Sequence, residues 1–245
     1  SIALRRSLRM YARGVSGVRM LVTGGCGFIG SHFVNAVVGR GLADLVVNVD
    51  AMHPAADLER IGADVRRSFR YRFVKGDVGD LVLMKKLLAE WRITHVVHFA
   101  AQSHVTRSFE ESLEYTRDNV VGTHTLLEAV RQLPEVAGST TVKKFVHVST
   151  DEVYGDSEVG EGASHFTEQS VLCPTNPYAA TKAAAELIAR AYRESFGVPV
   201  VVTRGNNVYG PGQHEEKLVP RFLALAKAGK KLTIEGDGSC VRAFM

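Results

Sequence analysis

Short, continuously apolar segments alternate along this chain with amphipathic segments of helical length, and this alternation limits the fold more than any other feature. A strand with one solvated face alternates apolar and polar residues, whereas a strand covered by helices on both faces is apolar throughout. A repeated strand–helix order with such strands predicts an α/β fold with a doubly wound parallel sheet. The predicted strands are Arg19–Thr23, Leu45–Val49, Tyr71–Val74, His95–Phe99, Lys144–Val148, Val200–Thr203 and Leu232–Ile234. The predicted helices are Ile29–Gly39, Leu81–Trp91, Ser108–Leu133, Tyr178–Phe196 and Lys217–Ala228.

A glycine-rich turn, Thr23-Gly24-Gly25-Cys26-Gly27-Phe28-Ile29-Gly30, joins the first predicted strand to the first predicted helix. Glycines at this spacing allow a tight turn and let the backbone approach a pyrophosphate at the helix N-terminus. A lone glycine pattern also occurs in ordinary turns. Here a strand precedes it, a helix follows it, and an acidic residue, Asp50, ends the next strand. The sequence therefore predicts a dinucleotide site of the Rossmann type.

Asp50 predicts which dinucleotide binds. A carboxylate at the end of the second strand accepts a hydrogen bond from the ribose 2′-hydroxyl of NAD and repels the 2′-phosphate of NADP. The alternative for Asp50 alone is a structural cap at the strand end. The next arginine, Arg60, is ten residues further along the chain and is not expected to rescue NADP binding. Asp77 and Val78 follow the third predicted strand and could hold the adenine, although alone they would indicate only a turn.

Tyr178 and Lys182 open the helix that follows Pro177. Their spacing of four places both side chains on one helical face. A nearby ammonium group lowers the pKa of a phenol from about 10, so the pair predicts a tyrosinate base for a sugar hydroxyl. The alternative is a snorkelling lysine beside a half-buried tyrosine, which is the commoner meaning of this spacing.

An acidic pair, Asp151 and Glu152, directly follows the fifth predicted strand, and Thr150 adds a neutral hydroxyl beside it. Two adjacent carboxylates at the carboxyl end of a strand suit paired acid and base chemistry, with one protonated and one ionised. Most such pairs are solvated turns. The apolar strand before this pair delivers it to the same sheet edge as the glycine turn, which favours the catalytic interpretation. The following segment, Gly155–Pro177, is predicted to be a long surface loop.

Together these motifs resemble the nucleotide-sugar 4,6-dehydratases that act on dTDP-glucose or UDP-glucose, which are NAD-dependent enzymes of the extended short-chain dehydrogenase/reductase type. The resemblance begins near Met20 and runs to the end of the chain. Thr150-Asp151-Glu152 is its most specific element, because related epimerases and decarboxylases generally have an uncharged residue in place of the acidic pair. Gln102 and Arg204–Val208 are similar to eukaryotic members, including the dehydratase part of plant rhamnose synthases. The matching segments are Val22–His32, His98–Val105, Asn119–Thr123, Ser149–Gly155, Pro174–Lys182, Thr203–Pro211, Glu216–Pro220 and Gly236–Arg242.

The resemblance implies a hydro-lyase reaction without net redox change. Tyr178, with Lys182, would remove the proton of the 4-hydroxyl while C4 gives a hydride to NAD. Glu152 would take the C5 proton and Asp151 would protonate the departing 6-hydroxyl, after which the hydride returns to C6. The product would be a 4-keto-6-deoxy sugar nucleotide, and NAD would be a tightly held catalyst.

The resemblance also implies the binding residues. The substrate would be a nucleoside-diphosphate glucose, bound through its hexose by Ser103 and Thr150, and the complete protein would be a homodimer. Its pyrophosphate and base would contact Asn207, Lys217, Leu218 and Arg242. The expected cofactor-binding residues are Gly24, Gly27, Phe28, Ile29, Gly30, Asp50, Asp77, Val78, Ala100, Ala101, Gln102, Tyr178 and Lys182.

Three departures from the family pattern affect these expectations. Ala51–Pro54 lacks the usual adenosine-gripping side chains, and Thr106 replaces an acid. Family members also continue well past Met245, so the substrate lobe is expected to be incomplete. The expected division is a leader at 1–19, a Rossmann domain at 20–204 and part of a substrate lobe at 205–245. The alternatives are a 4-epimerase or decarboxylase of the same superfamily, or a truncated, non-catalytic fragment that binds NAD or a partner.

Charge and composition exclude other classes. The net charge of +4 comes from arginines that precede the first acid, Asp44, so no basic face for nucleic acid is predicted. Three cysteines cannot form a disulfide framework, no apolar run approaches the ~20 residues of a membrane span, and no metal site is predicted. The expected location is the cytoplasm, with an organellar transit segment at 1–19 as the alternative.

Overall fold

The computed structural model describes residues 17–133, 142–155, 166–234, 237–238 and 244. Its strands are β1 (Arg19–Thr23), β2 (Leu45–Asp50), β3 (Tyr71–Lys75), β4 (His95–His98), β5 (Lys144–Thr150) and β6 (Val200–Gly205). Its α-helices are α1 (Phe28–Gly39), α2 (Ala63–Arg67), α3 (Leu81–Glu90), α4 (Val105–Glu110), α5 (Ser112–Tyr115), α6 (Gly122–Arg131), α7 (Pro177–Phe196) and α8 (Leu218–Lys227). A π-helical turn, Thr116–Val121, joins α5 to α6, and the 3-10 turns Leu58–Arg60 and Asp151–Tyr154 follow β2 and β5.

The strands form one parallel sheet in the order β3-β2-β1-β4-β5-β6. The strand order reverses between β1 and β4, and ligands of such sheets bind in the crevice at that reversal. Thr23 at the end of β1 pairs with Val49 of β2 and with His98 of β4, so the carboxyl ends of these strands lie level. The prediction of a doubly wound parallel sheet is confirmed.

Apolar cores cover both faces of the sheet, which explains why most of the strands are largely apolar. On one face, Leu21 and Phe145 are fully buried beneath α3, α6 and α7. On the other face, Val22 and Val46 are fully buried beneath α1. The two cores fix the carboxyl edge of the sheet between helical layers.

The sequence predicts one helix over Ser108–Leu133, and this prediction is wrong. The helix is interrupted at Glu111, whose φ of −119° and ψ of 36° are not helical, and again by the π-helical turn. Within that turn the Asn119 side chain accepts from the backbone N–H of Gln102 at 2.7 Å and donates to its carbonyl at 3.0 Å. Helical periodicity in the sequence does not reveal such bonds between distant residues.

The predicted strand Leu232–Ile234 is also wrong. Leu232 is 50% exposed and Ile234 is 74% exposed, and among the described residues no strand pairs with this segment. An apolar run forms a strand only where a neighbour satisfies its backbone N–H and C=O groups.

Two other predicted segments lie partly outside the described residues, namely 1–16 of the leader and 156–165 of the long loop. The described part of that loop, 166–176, contains neither helix nor strand, as predicted. In the part of the chain that the structure describes, no helix is both long and apolar enough to cross a bilayer. Within that same part, no three His, Cys, Asp or Glu side chains cluster as metal ligands would.

Candidate active site

The glycine turn between β1 and α1 has the shape that a pyrophosphate requires. Gly24 has a φ of +71°, and a Cβ there would lie 2.6 Å from the backbone nitrogen of Ala100, so only glycine fits. A Cβ on Gly30 would collide with the carbonyl oxygen of Gly24. The helix that follows begins at Phe28 and has no side-chain cap on its first N–H groups. These uncapped donors, next to a turn without side chains, fit a dinucleotide pyrophosphate.

Asp50 lies at the end of β2 beside this turn and is 8% exposed. Its Oδ2 accepts from the backbone N–H of Cys26 and its Oδ1 from that of Met52, each at 2.9 Å. The carboxylate is therefore held in place, and each oxygen keeps a lone pair that can accept from a ribose hydroxyl. Asp50 acts as a structural cap and also fits the predicted ribose contact.

Arg60, which is not expected to rescue NADP binding, lies nearer to the dinucleotide site than its position along the chain indicates, and its effect on NADP stays a prediction. The 3-10 turn Leu58–Arg60 folds back over the glycine turn, and Nη1 of Arg60 donates to the carbonyl oxygen of Cys26 at 3.3 Å. The N–H of Cys26 is the group that binds Asp50. Separation along the chain is a poor guide here because the turn reverses the chain direction.

The other predicted cofactor residues lie along the same sheet edge. Asp77 and Val78 follow β3, where Val78 is buried and Asp77 is exposed and accepts from the N–H of Gly79 at 2.8 Å. Ala100–Gln102 follows β4, and the Ala100 N–H contacts the Thr23 hydroxyl at 3.4 Å. Their contacts with a cofactor stay a prediction.

The predicted acidic pair occupies the 3-10 turn at the end of β5. The Thr150 hydroxyl caps this turn by accepting from the N–H of Glu152 at 3.3 Å, and it contacts Oδ1 of Asp151 at 3.2 Å. Both acidic residues are half-buried, so they do not form a fully solvated acidic turn.

Tyr178, in the first turn of α7, lies next to Thr150 and the acidic pair. Its phenol is buried, and it lies within reach of the Thr150 hydroxyl. Burial and the negative charge of Glu152 raise the pKa of Tyr178, while Thr150 lowers it. Thr150 thus links the predicted base to the acidic pair.

Lys182 lies one helical turn after Tyr178 and is 4% exposed, so the snorkelling alternative is wrong. Burial lowers its pKa to about 8, against the opposing effect of Glu186. The ammonium donates to the carbonyl oxygen of Val148 at 2.8 Å. The sequence predicts a lowered pKa for Tyr178, whereas in this structure burial and Glu152 raise it, and Lys182 is not among the groups with the largest effects on it.

Two residues that hold Tyr178 and Glu152 in place were not predicted from the sequence. Asn176 caps α7 by accepting from the N–H of Ala179 at 2.8 Å, and its amide donates to Oε2 of Glu152 at 3.2 Å. Ser108 of α4 accepts from the N–H of Tyr178 at 3.2 Å. An asparagine directly before a proline at a helix start is a recognised capping signal and could have identified Asn176.

The structure brings some of the predicted substrate residues together but not all of them. Nζ of Lys217 donates to the carbonyl oxygen of Ser103 at 3.5 Å, which brings these two together. Leu218 begins α8 and is 51% exposed. Asn207 lies beyond β6 and forms a β-bridge with Phe244, and Arg242 lies outside the described residues.

Comparison with known proteins identifies the family of this chain. The family model described as GDP-mannose 4,6 dehydratase matches residues 21–245, nearly the whole chain. The chain belongs to this family.

Relatives within the family support the same assignment. A trifunctional UDP-glucose 4,6-dehydratase, 3,5-epimerase and reductase from Arabidopsis thaliana is 46% identical over 92% of this chain and 33% of its own length. The dTDP-glucose 4,6-dehydratase of Streptomyces venezuelae, solved with NAD bound, is 42% identical with a TM-score of 0.84, covering 93% of this chain and 68% of that one. The UDP-glucuronic acid 4-epimerase of Bacillus cereus, solved with NAD, is 31% identical with a TM-score of 0.80, covering 93% and 69%. The chain spans 33% to 65% of the lengths of its curated relatives.

Arg204 is another residue of this site, and its contacts were not predicted from the sequence. Its guanidinium donates to Oε2 of the buried Glu186 in α7 at 2.7 and 2.9 Å, and to the Tyr154 hydroxyl at 2.7 Å. Tyr154 ends the 3-10 turn that carries the acidic pair. Arg204 therefore ties that turn to the helix that carries Tyr178 and Lys182.

We expect Arg204→Met to lower the free energy of unfolding by about 3 kcal/mol, because it leaves the Glu186 carboxylate buried without its partner. The measurement is the midpoint of urea denaturation, which should fall while the dependence of the free energy of unfolding on urea concentration stays the same. The matched control is Arg67→Met, whose guanidinium is 75% exposed, and its midpoint should not move. Equal losses in the two variants would contradict a structural role for the Arg204 clamp.

Proposed function

We propose that the protein containing this chain is a nucleotide-sugar 4,6-dehydratase that converts dTDP-glucose or UDP-glucose to the 4-keto-6-deoxy sugar nucleotide. One observation carries the proposal: the Thr150 hydroxyl hydrogen-bonds with the turn of Asp151 and Glu152 and acts on the buried phenol of Tyr178, so the two halves of an acid–base site lie together. The names of the relatives support the same reaction class.

Tyr178 and Lys182 serve the C4 end of the sugar. The phenol takes the proton of the 4-hydroxyl, and Thr150 acts to lower the pKa of Tyr178 against the effects of burial and Glu152. Lys182 is fixed on the Val148 carbonyl, and its pKa of about 8 keeps much of it protonated near neutral pH. Its positive charge makes it the residue that would bind ribose or sugar hydroxyls beside the phenol.

Asp151 and Glu152 serve the C5–C6 end. Glu152, oriented by the Asn176 amide, takes the C5 proton, which a ketone at C4 makes acidic. Asp151 protonates the departing 6-hydroxyl. The difference in surroundings supports this division, because Glu152 accepts from an amide whereas Asp151 contacts only the neutral Thr150 hydroxyl among the described residues.

The glycine turn and Asp50 would hold NAD, with Ala100–Gln102 beside them. When bound, NAD would accept the hydride from C4, return it at C6, and contribute a positive charge that opposes the raised pKa of Tyr178. Asp50 supports NAD rather than NADP because its carboxylate is fixed at the end of β2.

We expect Asp50→Ala to narrow the preference for NAD over NADP by about 1–2 kcal/mol, the scale of one hydrogen bond to a charged group. The altered Ala51–Pro54 segment offers few side chains for the adenosine, so NAD should co-purify only partially. Titration of the purified protein with both dinucleotides measures the preference. Tighter binding of NADP than of NAD by the unchanged protein would overturn the role of Asp50.

The direct test is incubation of the longest natural protein that contains this chain with dTDP-glucose and UDP-glucose, followed by detection of a 4-keto sugar by its absorbance in alkali. A 4-keto-6-deoxy product supports the proposal and shows which nucleotide is used. A 4-epimer as the only product would instead support the epimerase alternative, which the epimerase relatives favour. No turnover despite NAD binding would support the non-catalytic alternative.

Further proposals concern the setting of the enzyme. We propose a homodimer, supported by strongly exposed apolar side chains on α4, α5 and α7, namely Phe109 (63%), Leu113 (84%) and Leu187 (59%). Light scattering after size exclusion tests the homodimer.

We also propose a cytoplasmic location, supported by the low cysteine count, and a role in forming rhamnose precursors, supported by the plant relative. Fractionation of cells tests the location.

A further inference from the structure

The chain between β2 and α2 folds back onto the glycine turn. The N–H of Asp57 donates to the carbonyl oxygen of Cys26 at 2.9 Å. On the other side, the Asn35 amide of α1 donates to the carbonyl oxygen of Arg60 at 2.7 Å. The turn Leu58–Arg60 is therefore fixed between the glycine turn and α1.

The Arg60 side chain extends from this turn to the glycine turn. Its Nη1 donates to the carbonyl oxygens of Cys26 at 3.3 Å and Ala55 at 2.5 Å. Both bonds use the same nitrogen, and no described carboxylate forms an ion pair with this guanidinium. Its remaining N–H groups can therefore donate to an anion.

Three charged residues, Asp50, Asp57 and Arg60, each bond to the backbone of Cys26. Burial is the largest of the effects that together raise the pKa of the Cys26 thiol to about 11; the negative charges of Asp50 and Asp57 also raise it, and the positive charge of Arg60 lowers it. Arg60 and Asp50 bind the carbonyl and the N–H of this one residue. A group bound at Asp50 therefore experiences one cation and two carboxylates.

We propose that Arg60 is a second determinant of dinucleotide choice, which partly offsets Asp50 and allows the site to tolerate a 2′-phosphate. This inference rests on the proposed NAD site. A guanidinium forms charge-assisted, often paired hydrogen bonds with a phosphate, whereas a neutral ribose hydroxyl gains little from it. Asp57 acts in the opposite direction because its carboxylate repels the phosphate.

The experiment compares two charge changes that keep local hydrogen bonding. Arg60→Gln removes the cation but keeps an amide donor for the Cys26 carbonyl. Asp57→Asn removes an anion but keeps an oxygen for the N–H of Glu59, which the carboxylate now accepts at 2.9 Å. Arg67→Gln is the control, because its side chain is 75% exposed and pairs with Asp64. Each protein is titrated calorimetrically with NAD and with NADP at low and high salt.

Arg60→Gln should weaken NADP binding about tenfold at low salt and change NAD binding by less than about twofold. Asp57→Asn should strengthen NADP binding several-fold, and Arg67→Gln should leave the ratio of the two affinities unchanged. Equal weakening of both dinucleotides by Arg60→Gln would show that Arg60 only braces the loop, which overturns the inference while the NAD site stands. Failure of the unchanged protein to bind either dinucleotide would instead overturn the proposed function.

Discussion

Replacing Tyr178 with phenylalanine is expected to lower turnover of the nucleotide sugar by about 10²–10⁴-fold, the usual effect of losing a general base. The variant lacks the oxygen that removes the 4-hydroxyl proton, so oxidation at C4 and every later step are blocked. Fold and cofactor binding should survive, because the ring stays buried and the lost interaction is the one with Thr150. The measurements are product formation and the absorbance change of the bound dinucleotide when substrate is added, and neither should appear.

The same helix provides a matched control. Tyr192 of α7 is also buried, and its hydroxyl donates to Glu128 at 2.7 Å, away from the catalytic group. Tyr192→Phe also removes the hydroxyl of a buried tyrosine, here one bonded to a carboxylate, and should keep its turnover per folded molecule. Substantial turnover by the Tyr178 variant would show that another group serves as the base at C4.

The sheet and the position of the site were predictable because both depend on local patterns. Continuous apolar runs identify buried parallel strands, and the carboxyl ends of such strands meet at one edge. Asp50 and Thr150 come just after two of the predicted strands and end the observed β2 and β5, so their common location followed directly. Tyr178 joined them because its helix starts at the proline signal of Pro177.

The remaining features depend on contacts between distant parts of the chain. The π-helical turn is held by Asn119 and Gln102, which are seventeen residues apart. The return of Arg60 to Cys26 spans thirty-four residues through a short turn that has no strong sequence signature. The raised pKa of Tyr178 comes from burial and from Glu152, and spacing along a helix cannot indicate how deeply a side chain is buried.

Replacing either member of the acidic pair is expected to lower the rate of dehydration by about 10²–10⁴-fold while leaving oxidation at C4 intact. Glu152→Gln keeps an oxygen for the Asn176 amide and changes only the ability to take a proton. Asp151→Asn likewise keeps an oxygen near Thr150 but has no proton to give to the 6-hydroxyl. Because the early step survives, the absorbance of the reduced dinucleotide should rise and persist after substrate is added.

Exchange with deuterated water separates the two roles. If Glu152 is the base at C5, Asp151→Asn should still exchange the C5 hydrogen of the oxidised sugar, because proton removal there does not require loss of the hydroxyl. Glu152→Gln should show neither exchange nor elimination. Glu168→Gln is the control, since Glu168 is exposed in the loop before α7 and should leave exchange and turnover unchanged. Exchange in the Glu152 variant, or its absence in the Asp151 variant, would mean that the roles of the two carboxylates are reversed or shared. Thr150 contacts both halves of the site, so it would then be the next residue to test.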